Sequence, residues 1–129
     1  MADMTTKYLT IHDFPIVQLL PKSSRGRFKI KVAIKHTLIN GEEIIVPIDF
    51  ISNGASVPKL LRGLFSQQGT YLMPSIIHDY LYDNQLYSRE FADKQFLLDM
   101  SKVNTNKVTK WLFYYIVRIF GKTNWNKTT

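Results

Sequence analysis

The sequence predicts an α+β fold: a small N-terminal antiparallel sheet followed by three helices, two of them forming an antiparallel pair that carries His78 and Asp93. Three observations predict it. Residues 27–38, "RFKIKVAIKHTL", alternate apolar and basic positions with the period of two that marks a half-buried strand. Asn40–Gly41 follows and leads into the β-rich run "EEIIVPI", the strongest short signal for a hairpin. After Pro58 the pattern changes to helical periods with recognisable start and stop residues.

A chain of 129 residues suits one domain with a hydrophobic core of its own. It divides into a β-rich part (1–50), a loop (51–73), a helical part (74–121) and a basic tail (122–129), with no repeat, low-complexity tract or linker. The run "YLTIHDFPIVQLL" (8–20) reads as a strand interrupted at Pro15. In 27–38, Phe28, Ile30, Val32, Ile34 and Leu38 share one face, and Lys29, Lys31 and Lys35 the other. Pro74 suits the first turn of a helix that reaches about Asn84. Ser88 is an N-cap with Glu90 in the favourable first turn, opening a helix to about Val103. A third helix covers Asn106 to Phe120 and ends at Gly121.

Composition narrows the function classes. Hydrophobic residues make up 45% of the chain, which excludes a disordered segment. The absence of cysteine excludes disulfides and thiolate metal sites and fits a reducing compartment. The N-terminus lacks the basic start and apolar core of a signal peptide, and the run "WLFYYIV" (111–117) is far shorter than the ~20 residues that span a bilayer. Net charge is +7 and uneven, since residues 101–129 hold six basic groups and no acidic one. Such a segment can meet an anionic membrane surface, an acidic protein or nucleic acid, or can serve as a solvated face.

The candidate site comes from helical geometry. In "SIIHDYLY" (75–82), His78 shares a face with Pro74, Leu81 and Tyr82; on the next helix Asp93 shares a face with Phe96, Leu97 and Met100. The short link "DNQLYS" favours an antiparallel pair, so Asp93 can reach His78 and orient it as a general base. Asp79 points about a quarter-turn away, toward the loop "ISNGASVPK" (51–59). There Asn53, the backbone of Gly54 and Ser56 offer oxygens that suit calcium better than zinc. A buried His–Asp pair that only holds two helices together is the competing reading. His36 reads as packing or a strand edge, and His12 beside Asp13 as loop surface. Trp111, Phe113, Tyr114, Tyr115 and Phe120 read as core, although they surround their helix and part of them needs a cover.

Four blocks, "IVPIDFISNGASVP", "SIIHDYLY", "FADKQFLLDM" and "YYIVRIFG", resemble a family of tailed-phage and prophage proteins catalogued as a domain of unknown function, over about residues 44–121. More distantly, "SNGAS" (52–56) and "SIIHDYLY" are similar to the calcium loop and catalytic helix of bacterial and fungal secreted phospholipase A2. Ala55 and Ser75 stand in the places of two cysteines. That resemblance implies His78 as the base that activates water, Asp93 as its orienter and Asp79 as a calcium ligand beside loop carbonyls. Asn53 stands where the resembled loop has a carboxylate, so the implied calcium site is weakened. Two functions follow as expectations. One is a phage-encoded, calcium-assisted lipid esterase that meets anionic membrane. The other is a non-catalytic virion or tail component, or an inhibitor that binds a phage or host protein. Nucleic-acid binding comes third, having the charge but no motif. The expected location is the host cytoplasm during infection, or the virion.

Overall fold

The computed structural model of the protein describes residues 7–20, 27–52 and 71–128. The alternation over 27–38 is carried by two strands instead of one: β2 (Phe28–Ile30) and β3 (Ile34–Thr37). The break has a hydrogen-bonding cause. Ile30 N donates to Phe50 O and Lys31 N to Ile16 O, whereas Lys35 N donates to Leu9 O, so the two halves serve different partners. β2 lies between β1 (Val17–Leu19) and β5 (Ile51–Ser52), antiparallel to both, with Val17 opposite Ile30 and Phe28 opposite Ser52. β3 pairs antiparallel with β4 (Glu43–Val46), Ile34 opposite Val46. The single sheet expected is therefore two small ones. The period of two survives the break, because Phe28, Ile30, Ile34, His36 and Leu38 all face inward.

The Asn40–Gly41 turn closes the β3–β4 hairpin. Gly41 has φ of +88°, a conformation that disfavours any side chain, and the Asn40 side chain accepts from Glu42 N at 3.0 Å. The expected loop from 51 begins as strand β5; residues 53–70 lie outside the described residues.

Three helices follow: α1 (Leu72–Asn84), α2 (Arg89–Lys102) and α3 (Lys107–Thr128). α1 starts two residues before Pro74, which sits in the first turn as expected, and stops at Gln85, whose φ is +51°. Ser88 caps α2, its Oγ accepting from Phe91 N at 3.0 Å, and Asn104, with φ of +59°, closes it. Asn106 caps α3 by accepting from Val108 N at 2.9 Å. α3 does not end at Gly121. It runs through to Thr128, so the stretch read as a basic tail is helical. Gly121 is there for close approach: a Cβ on it would lie 2.5 Å from Tyr82 Oη and 3.2 Å from Arg89 Nη1. Four residues further, the helix places Trp125 edge-on to Tyr82, and its carbonyl accepts from Gln85 Nε2 at 2.7 Å.

The main core joins the inward sheet residues to α1 through Ile30, Ile34, Val46, Met73, Ile76, Ile77 and Leu81. A second cluster, Phe96, Met100, Phe113 and Val117, joins α2 to α3. The aromatic group on α3, expected as core, divides. Phe113 is fully buried, but Trp111, Tyr115 and Phe120 are exposed, because only one face of α3 meets α2 and α1. Among the described residues, no helix is long and apolar enough to cross a membrane.

Candidate functional site

α2 has few apolar residues, yet it packs against α1, α3 and the β3–β4 hairpin. Its core-facing side is therefore partly polar, with Asp93, Gln95 and Asp99 all fully buried. Buried charges need partners, and Asp93 has them from three directions. His78 Nε2 on α1 lies 2.7 Å from Asp93 Oδ1, and the Tyr82 hydroxyl donates to the same oxygen at 2.7 Å. From α3, Arg118 Nη1 donates to Oδ2 at 2.7 Å; Arg89 Nη1, one turn before Asp93, stands 3.7 Å from Oδ2. Arg89 is itself held by the carbonyls of Val117 and Arg118 at 3.0 and 3.2 Å. One carboxylate thus ties all three helices together.

The electrostatics follow from this geometry. Burial pushes the Asp93 carboxyl up. The pairing with His78, and then the hydrogen bonds from Tyr82 and Arg118, outweigh that effect and hold it below the usual carboxylate range. The Tyr82 hydroxyl is pushed well up, first by burial and then by Asp93. Burial lowers the Arg118 guanidinium and Asp93 raises it, with a net rise. An ionised carboxylate only accepts, so in this hydrogen bond His78 Nε2–H is the donor. The imidazole lies between the rings of Tyr82 (4.3 Å) and Phe96 (4.7 Å). Its other nitrogen, Nδ1, is buried and has no hydrogen-bond partner among the described residues.

The expected pairing of His78 with Asp93, and Tyr82 beside them, is present. Asp79 stands apart from this network and accepts from the Ser52 hydroxyl at the end of β5. Hence the start of the loop expected to face Asp79 does face it. Asn53, Gly54 and Ser56 lie outside the described residues. Among the described residues, no group of three or more His, Asp or Glu could hold a metal. Asp79 is the one described member of the expected calcium set, and its oxygen chemistry fits a hard cation.

Sequence reasoning missed three things. His36, read as packing or a strand edge, is half of a second buried pair: its Nε2 lies 2.9 Å from Asp99 Oδ1. Gln95 Nε2 donates to that same oxygen at 2.9 Å, and Gln95 Oε1 accepts from Ile39 N at 2.8 Å, which pins the hairpin to α2. A signal existed, since Asp99 falls one turn beyond Gln95 and Phe96 and so shares a helix side with them. Arg118 was missed although a lone cation inside "WLFYYIVRIF" requires a partner. Gly121 was misread as a helix stop.

Fold and site define a small α+β domain whose helices converge on a buried carboxylate. The chain belongs to the family described as protein of unknown function (DUF1353), whose model matches residues 28–117, from β2 into α3. No curated protein and no solved structure matches the chain.

Proposed function

We propose that this protein is a small phage-encoded, phospholipase A2-like ester hydrolase in which His78 is the base, Asp93 its orienter and phospholipid the substrate class. The observation that carries the reading is the state of the imidazole. In the neutral imidazole with Nε2–H committed to Asp93, Nδ1 would hold a lone pair that no group among the described residues uses. A water at Nδ1 gives it a proton while the water oxygen bonds to the ester carbonyl carbon and the π pair moves to the carbonyl oxygen. Asp93 steadies the imidazolium. The intermediate then re-forms its C=O, the bond to the alcohol oxygen breaks, and the Nδ1 proton passes to that leaving oxygen. Calcium, held by Asp79, Asn53 and the Gly54 carbonyl, would supply polarisation of the carbonyl. Tyr82 and Arg118 keep Asp93 ionised and in place. The phage origin rests on the four sequence blocks.

One observation favours a second reading. His78 is 3% exposed, and its partner carboxylate is the junction of three helices. In that reading the network is structural, and the protein is a virion or tail component or an inhibitor of a host protein.

Fatty-acid release from a short-chain, monomeric phospholipid, with and without millimolar calcium, separates the two. Catalysis predicts release that His78→Asn abolishes while the fold persists by circular dichroism. It also predicts that Asn53→Asp tightens calcium about tenfold, for ~1.4 kcal/mol of added attraction. No release by wild type or Asn53→Asp, in folded protein, leaves the structural reading.

A further inference from the structure

α3 is apolar on two sides. Its inner side, with Phe113, Ile116 and Val117, is buried. Its outer side carries Val108, Trp111, Leu112, Tyr115 and Ile119, spaced i, i+3, i+4, i+7 and i+11, which puts them on one face about 16 Å long. The face is open to solvent: Val108 is 74%, Tyr115 55% and Ile119 67% exposed. Trp111 and Tyr115 lie ring to ring there, centroids 6.0 Å apart. A contiguous exposed patch of this kind marks an interaction surface.

Its surroundings indicate the occupant. Exposed Lys107 and Lys122 bracket the stripe, and residues 101–129 contain no acidic group. A second copy would bring two sets of cations together. A stable protein interface draws about 20–30 residues a side, against five on this stripe. Nucleic acid would meet the lysines but give Val108, Leu112 and Ile119 nothing to bury against. Aliphatic side chains, aromatics with a polar edge and flanking lysines together suit the boundary between headgroups and acyl chains. We propose that the outer face of α3 docks the protein on an anionic lipid surface. The helix lies in the plane of that surface, with its inner face on the domain. The inference stands on this surface alone and does not depend on hydrolysis at His78.

The test is co-sedimentation with vesicles of phosphatidylglycerol and phosphatidylcholine, against phosphatidylcholine alone. The full chain is compared with Tyr115→Glu/Ile119→Glu and with Lys107→Gln/Lys122→Gln, all at exposed positions and checked by thermal melts. Expected are binding to the anionic vesicles, weakening at high salt, and a loss of about tenfold or more in the Glu variant, since one unburied Ile is worth that much. The Gln variant, which leaves the apolar stripe intact, loses the preference for anionic vesicles. Equal binding to neutral vesicles, no vesicle binding, or undiminished binding by both variants overturns the proposal. So does finding that the Glu variant abolishes self-association or DNA binding instead. Hydrolysis of a monomeric ester is measured separately: vesicle binding without hydrolysis removes the enzyme reading and leaves this one, and the reverse result does the opposite.

Discussion

Replacing Asp93 with Ala should destabilise the fold more than removing one hydrogen bond would. Asp93 accepts from His78, Tyr82 and Arg118, each at 2.7 Å. Its loss leaves two donors, His78 Nε2–H and the Tyr82 hydroxyl, inside the core. Each costs about 1–3 kcal/mol when unsatisfied. Arg118 is partly exposed and turns to water, so its share is discounted. Water entering the space left by the carboxylate relieves some of the cost. The expected loss is about 3 kcal/mol, a large fraction of the ~5–15 kcal/mol that holds such a domain folded. With a urea slope near 1.5 kcal/mol/M, the midpoint should fall by about 2 M. Asp93→Asn keeps the shape and one acceptor and should lose less. A midpoint for Asp93→Ala within about 0.3 M of wild type would show that the three helices do not depend on this carboxylate, and the account of the network would be wrong.

Two further outcomes are expected. Gly121→Ala adds a methyl 2.5 Å from Tyr82 Oη, so overpacking of about 1–3 kcal/mol outweighs the ~1 kcal/mol gained in helix propensity. Thermal melts should show a loss that shrinks in a Tyr82→Phe background, and a stabilised Gly121→Ala in the wild-type background would contradict the close-approach argument. For pH, the folded Asp93 carboxyl lies below its unfolded value, so the folded state binds fewer protons. Its contribution is complete above the unfolded value of about 3.9 and is lost as pH falls through that value toward the folded one. The stability difference between wild type and Asp93→Asn should therefore narrow as pH drops from about 5 to 3; a flat difference over that range would count against an ionised Asp93.

The parts legible in the sequence are those set by local periodicity. The hairpin at Asn40–Gly41, the Ser88 cap and the inward faces carrying His78 and Asp93 depend on residues within a turn or a strand of one another. The parts that were not legible depend on where a distant segment arrives. Nothing near residue 30 says that the chain changes partners there; the cause is the position of Leu9, Ile16 and Phe50. Gly121 has the local signature of a helix stop, and only Tyr82, almost forty residues earlier, turns it into a point of contact. His36 and Asp99 stand sixty-three residues apart in sequence and meet because α2 crosses the hairpin. Arg118 was within reach of a sequence argument, because a cation in an apolar helix needs an acceptor, and its acceptor was already in view as Asp93.

The two buried His–Asp pairs on α2 sharpen the question of function. They share a residue pair and a burial, so burial and pairing alone do not distinguish a catalytic imidazole from a fastening one. They differ in what surrounds the carboxylate. Asp99 receives neutral Gln95, and its second oxygen has no partner among the described residues. Asp93 has its countercharge from Arg118, with Arg89 behind, and both of its oxygens are engaged. A histidine that accepts and returns a proton in each turnover needs a carboxylate whose position and ionisation do not change as the imidazole changes charge. Asp93, held at Oδ2 by Arg118 independently of His78, meets that condition. Asp99 is anchored through the same oxygen that His36 uses. If the proposed hydrolysis holds, its base is His78 and not His36, whose pair with Asp99 joins hairpin to helix.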